Sequence, residues 1–237
     1  MNNNDPFATT HWGLVVAARD AASGIAREAF GELFRTYAKP LNQYVLRRGY
    51  SREDADDLVQ EFFSTFLEKE YLQSVSAEKG KFRAFLLAAL KHFLSDEHDK
   101  RKARKRGGQF QFVSLSAPGL AEAAGVSPGD DPERAFHRAW ALAVLETALR
   151  RVECQYGQEG KAMMFGLLKP RLAGDGSQSF EQLGVALGMQ AGAVRTAAFR
   201  LRRRYKTALM GVIAETVGNT ESVEEELAFL RRALGQA

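Results

Sequence analysis

Asp57, Gln60, Glu61, Ser64 and Glu68 repeat at helical spacing through SREDADDLVQEFFSTFLE, residues 51–68, and form a narrow acidic and amide stripe. About half a turn away, Ala55, Leu58, Val59, Phe62, Phe63 and Phe66 recur at the i, i+3, i+4, i+7 spacing of a buried face. A carboxylate row held on such an apolar backing can pair with basic residues of a partner helix, and that complementarity sets orientation and on-rate. Ser51, three residues before Asp54, gives the helix a capping-box-like start.

Two further stretches carry the opposite charge. KRKARKR, residues 100–106, places six basic residues in seven positions. Residues 191–206 hold Arg195, Arg200, Arg202, Arg203, Arg204 and Lys206 with no acid among them. Cations in such runs suit phosphates, which position a nucleic acid without reading it and bind in a salt-dependent way.

Catalytic chemistry finds less support. Gly157-Gln-Glu-Gly160-Lys161 has two residues between its glycines where a phosphate loop has four, lacks Ser or Thr after the lysine, and follows a helical segment. His92 and Asp96 are i, i+4 neighbours with His98 and Asp99 close by, but nothing elsewhere completes a metal-ligand set. No nucleophile–base arrangement stands out. The chain reads as a non-enzyme, with no catalytic residue, metal or cofactor.

These groups must be positioned by helices, because nearly every segment shows helical periodicity. The spacing predicts helices near 12–20, 26–48, 52–69, 80–104, 132–156, 160–169, 179–187, 191–217 and 221–234. Only Gln109 to Val113 alternates as a strand would, too short to make a sheet alone. The expected fold is all-α, with two helical domains, 1–106 and 132–237, joined by a flexible linker over 107–131 rich in Gly, Pro and Ser. Composition is that of a globular chain, with 45% apolar and 26% charged residues. The single cysteine, Cys154, rules out a disulfide framework and fits a reducing cytoplasm; it is expected to be a small buried side chain. No apolar run approaches membrane-spanning length and no signal peptide is evident, so a cytoplasmic location is expected.

DADDLVQEFF, followed about fifteen residues later by KGKFRAFLLAALKHFLSDEHDK, resembles region 2 of a bacterial RNA polymerase sigma factor of the extracytoplasmic-function class. FEQLGVALGMQAGAVRTAAFRLRRRY is similar to the helix-turn-helix of that class's region 4. Order and spacing agree from about Thr10 to about Tyr205. The resemblance implies that Asp57, Gln60 and Glu61 meet the clamp helices of the polymerase β′ subunit, with the β subunit as a further contact and the linker threading toward the active-site cleft. It places Ala77, Glu78, Lys79, Gly80, Lys81 and Arg83 at the loop that holds a base flipped from the −10 element, and Lys91, His92 and Asp96 on the helix that reads neighbouring bases. Lys100 and Arg101 would follow on phosphates. Phe85 stands where many members of the class have tryptophan and reads here as core.

In the second domain Gly184 and Gly188 are four apart, and Val194 sits ten after Gly184, as a helix-turn-helix requires. Gly184 departs from the more usual alanine, which weakens the first helix slightly. Gln190, Arg195, Thr196 and Phe199 are assigned to base edges or thymine methyls of the −35 element, and Arg200, Arg203 and Arg204 to phosphates. Residues 208–237 extend beyond the compact pattern, with Glu221, Glu224, Glu225 and Glu226 opening a last helix. Charge complementarity allows this acidic tail to dock on the basic recognition helix and restrain DNA binding. The expected function is a sigma factor that binds core polymerase, recognises −35 and −10 elements and starts transcription, with an anti-sigma factor or other regulator as a further partner. The alternatives are a helix-turn-helix regulator that never engages polymerase, and a protein–protein adaptor.

Overall fold

The computed structural model describes residues 24–68, 81–105, 131–217 and 222–235. Among them are eight α-helices and no strand. They are α1 (Gly24–Arg47), α2 (Arg52–Glu68), α3 (Phe82–Lys105), α4 (Pro132–Gln158), α5 (Ala162–Leu168), α6 (Phe180–Leu187), α7 (Ala191–Thr216) and α8 (Ser222–Ala233). A 3₁₀ turn, Lys169–Ala173, follows α5. The expected all-α class holds. The expected helix at 12–20, the strand at 109–113 and, apart from Asp131, the linker at 107–131 lie outside the described residues.

The chain divides into two compact units, and the division differs from the expected one. The first comprises Met1–Ala143 and Ala214–Ala237, and the second Val144–Ile213. The N-terminal half of α4 and all of α8 thus group with the first three helices. The physical reason is apolar packing: Phe136 and Trp140 of α4 are fully buried, and Phe229 of α8 lies 6.0 Å from Trp140, ring centre to ring centre.

In the first unit α1 ends on Gly49, whose φ of 92° only glycine adopts cheaply. Ser51 then starts α2: its hydroxyl accepts from the Asp54 amide at 3.0 Å and donates to the Asp54 carboxylate at 2.8 Å. The apolar stripe of α2 is buried as its spacing demands, with Ala55, Leu58, Val59, Phe62, Phe63 and Phe66 all inaccessible. Phe63 meets Phe34 of α1 at 5.0 Å and Phe62 meets Phe93 of α3 at 5.7 Å. Each such burial is worth roughly 1.5–3 kcal/mol over exposure, which fixes the rotation of α2 and therefore what its outer face presents. Phe85 is half-buried beside Phe66 and Phe82, consistent with a packing role.

The second unit is built around Val152, Tyr156, Phe165, Leu168, Leu183, Val194, Ala198 and Leu201. Ser179 and Gln182 form a full capping box at the start of α6. Gly188, at φ 64°, closes that helix in the left-handed conformation, and the Met189 amide donates to the Gly184 carbonyl at 2.9 Å. The turn folds tightly over Gly184, where a Cβ would stand 2.5 Å from the Met189 carbonyl oxygen. Close approach therefore explains Gly184, and its low helix propensity is the cost of that approach.

Candidate protein and nucleic-acid interfaces

Because Phe62, Phe63 and Phe66 face the core, Asp57, Gln60 and Glu61 face solvent, and all three are exposed. Among the described residues none of the three makes a hydrogen bond or ion pair. Neighbouring Glu53, Asp54 and Asp56 are exposed too, and Asp56 accepts from the Asn42 amide of α1. The surface is an exposed row of acceptors suited to a basic partner helix, with Lys100 of α3 near enough to Glu61 to feel its charge.

The cations expected to touch DNA on and before α3 are placed less uniformly. His92 is exposed. Lys91 pairs with Glu133 in the first turn of α4, and Lys100 with Glu97 at 2.6 Å. Both pairs are partly open to water, so a phosphate can compete for either lysine at small cost. The Glu97 carboxylate, by hydrogen bond first and by charge second, lifts the Lys100 ammonium pKa. Lys79 and the Arg101 side chain lie outside the described residues.

Arg83 requires a correction. It is 5% exposed, and its guanidinium donates in a fork to Glu226 of α8 at 2.6 and 3.1 Å. It also lies 3.6 Å from the centre of the Phe229 ring and 5.0 Å from that of Trp140. As placed, Arg83 is not a free DNA contact. Lys81 is 3.3 Å from Glu226 and 3.6 Å from Glu225. The acidic tail accordingly engages the cations that open α3, and its expected docking on the recognition helix is replaced by this contact. The sequence carried a signal for it. Val223, Glu226, Leu227 and Leu230 share the i, i+3, i+4, i+7 stripe of α8, so a carboxylate occupies a core position and must find a cation there.

His137 of α4 completes this cluster, edge-on to Phe229 at 5.0 Å. Burial, and then the Arg83 charge, push the imidazole down to about 4, against the weaker pull of Glu133, Glu226 and Asp131. The ring is therefore neutral at pH 7.

In the second unit α6 and α7 follow one another across the tight Gly188 turn, where the sequence predicts a helix-turn-helix. Gln190, Arg195, Thr196, Arg200 and Arg203 are exposed, and Phe199 is 66% exposed. An apolar ring that open on a helix flanked by arginines is suited to a thymine methyl or a base face. The Thr196 hydroxyl donates to the Gly192 carbonyl at 3.0 Å, which fixes its rotamer. Arg195 sits 5.3 Å from the centre of the Phe180 ring. Arg204 differs from its neighbours: it is half-buried, bonded to Glu159 at 2.6 Å and set over Tyr156. Lys161 first, and Arg204 with it, hold the Glu159 carboxyl below its ordinary range. Arg200, Arg203 and Arg204 line one concavity of about 360 Å³ with Gln155, Thr207 and Ala208.

Cys154 is exposed, contrary to expectation, and its sulfur accepts from the Gln158 amide at 3.7 Å. Among the described residues no three His, Cys, Asp or Glu side chains gather as a metal site, and no helix is long and apolar enough to cross a membrane.

Residues 33–104, from the third turn of α1 to the end of α3, match the sigma-70 region 2 family. That match supports a sigma-70 relationship and, with it, a role in core polymerase binding and promoter melting. No curated protein and no solved structure matches the chain.

Proposed function

We propose that this chain, with its sigma-70 region 2 at residues 33–104, is a sigma factor of the extracytoplasmic-function class that binds core RNA polymerase and directs it to promoters with −10 and −35 elements. The observation that carries the reading is the coincidence of the region 2 match with the exposed, unpaired row of Asp57, Gln60 and Glu61 on α2. The row supplies acceptors for the β′ clamp helices, while the aromatic core behind it prevents the presenting helix from yielding. The α3 cations handle the −10 strand, where extruding a base costs a few kcal/mol that stacking and phosphate contacts offset. The helix-turn-helix of the second unit takes the −35 element, with Gln190, Arg195, Thr196 and Phe199 toward bases and Arg200 and Arg203 toward phosphates.

The test is equilibrium binding of the full chain to sigma-free core polymerase, with a housekeeping sigma factor as competitor. Tight, competitive binding is expected. Asp57→Lys with Glu61→Lys should weaken it at least tenfold, about 1.4 kcal/mol or more, without unfolding the chain, because both side chains are exposed. The helix-turn-helix gives a second reading independent support: a DNA-binding regulator that never meets polymerase. Under that reading the charge reversals change nothing and polymerase does not bind.

A further inference from the structure

Glu226 is fully buried, and it sits where α8 would otherwise carry an apolar residue. Were α8 only a lid for the core, a leucine there would serve as well or better, since replacing a buried ion pair by apolar side chains is often neutral or stabilising. What the charge adds is a partner for Arg83 and Lys81 in particular. These are the cations at the start of α3, the end of the domain that, under the proposed function, receives the melted promoter strand. Around them α8 assembles the elements of a nucleotide site. Two carboxylates, Glu225 and Glu226, lie on Lys81, and Glu226 alone takes the fork of Arg83. One aromatic ring, Phe229, lies against the Arg83 guanidinium with Trp140 and His137 beside it. An anion on Arg and Lys with a flat ring stacked on the guanidinium is also how a single-stranded nucleotide is held.

We infer that α8 is a built-in competitor of single-stranded nucleic acid, its carboxylates standing in for phosphate and Phe229 for a base, so that α8 must leave before Lys81 and Arg83 can hold a strand. This rests on the proposed function for the identity of the strand, but the competition itself does not require polymerase. The outer face of α8 is ready for release: Glu224, Glu225, Arg231 and Arg232 are exposed, so the detached helix presents a charged surface to water.

Two measurements on the full-length chain decide the matter. In the first, a carbodiimide condenses the Lys81 amine with the Glu225 or Glu226 carboxylate into an amide, read by mass spectrometry of the digest. The cross-link is expected in the free protein and should disappear as a dye-labelled single-stranded DNA is titrated to saturation. In the second, the affinity for that DNA is compared by anisotropy among the wild type, Glu225→Lys, Glu226→Gln and Phe229→Ala, with circular dichroism to check folding. Each variant should bind about tenfold tighter, a coupling of ordinary allosteric size. Glu225 is 71% exposed, so its variant tests the contact without disturbing the core. A cross-link yield indifferent to saturating DNA, or a folded Glu225→Lys variant with wild-type affinity, would overturn the inference. Core polymerase binding in the same preparations separates the two ideas. Polymerase binding with unchanged DNA affinity sinks the competition alone, and DNA competition without polymerase binding sinks the sigma reading alone.

Discussion

At the residue scale, opposing terms can be weighed at single atoms. Alanine gains about 0.8–1.0 kcal/mol over glycine in a helix interior. At Gly211, exposed on α7 with nothing within 4 Å of its missing Cβ, Gly211→Ala should collect much of that gain and raise the unfolding midpoint. At Gly184 the same methyl meets the backbone oxygen of Met189 at 2.5 Å, and overpacking of that kind costs roughly 1–3 kcal/mol. Gly184→Ala should therefore lower the midpoint. The two variants, compared by urea unfolding of the full chain, should move in opposite directions. His137 supplies a pH dependence. Its folded-state pKa, about 4, lies below the ordinary 6.5, so between those values the unfolded chain binds more protons than the folded one. Stability of the first unit should thus fall as pH drops from 7 toward 4 and level off below that. Unfolding midpoints at pH 7 and pH 5 should differ in the wild type and differ less in His137→Gln.

Elements were legible in the sequence to the extent that their ends are encoded locally. Ser51 and Asp54, Ser179 and Gln182, and Gly188 set the limits of α2 and α6 close to the expected positions, because caps act through bonds spanning three or four residues. Removing one such bond, Ser179→Ala should cost about 1 kcal/mol and weaken binding to duplex DNA by displacing α6, measurable by melting and anisotropy. The α2 stripe was readable for the same reason: one periodicity fixes both what is buried and what is offered. Two features escaped. Helix α4 carries apolar residues on more than one side, with Leu142 exposed while Trp140 and Val144 are buried, so the usual burial of a free cysteine in a helical segment misplaced Cys154. In α8 the apolar stripe announces a buried face, but no local rule says which surface covers it. That pairing depends on Arg83, which is 143 residues distant in sequence.

For the whole molecule, charge is partitioned by task. A carboxylate row faces out from α2, and arginines face out from α7. DNA affinity should fall steeply with salt, whereas the packing of α6 on α7, which is apolar, should not. Arg203→Ala should weaken binding to all sequences and reduce the salt slope by about one, while Gln190→Ala should alter sequence preference and leave that slope alone. The discontinuous make-up of the first unit also dictates a timetable. A segment from the end of the chain, Ala214–Ala237, belongs to a body otherwise formed by its beginning. At a translation rate of about 5–20 residues per second, the 143-residue separation of Arg83 and Glu226 takes roughly seven to thirty seconds to make. During that interval Arg83 emerges from the ribosome without its partner, and Trp140, once made, waits without its Phe229 neighbour until the last helix is synthesised.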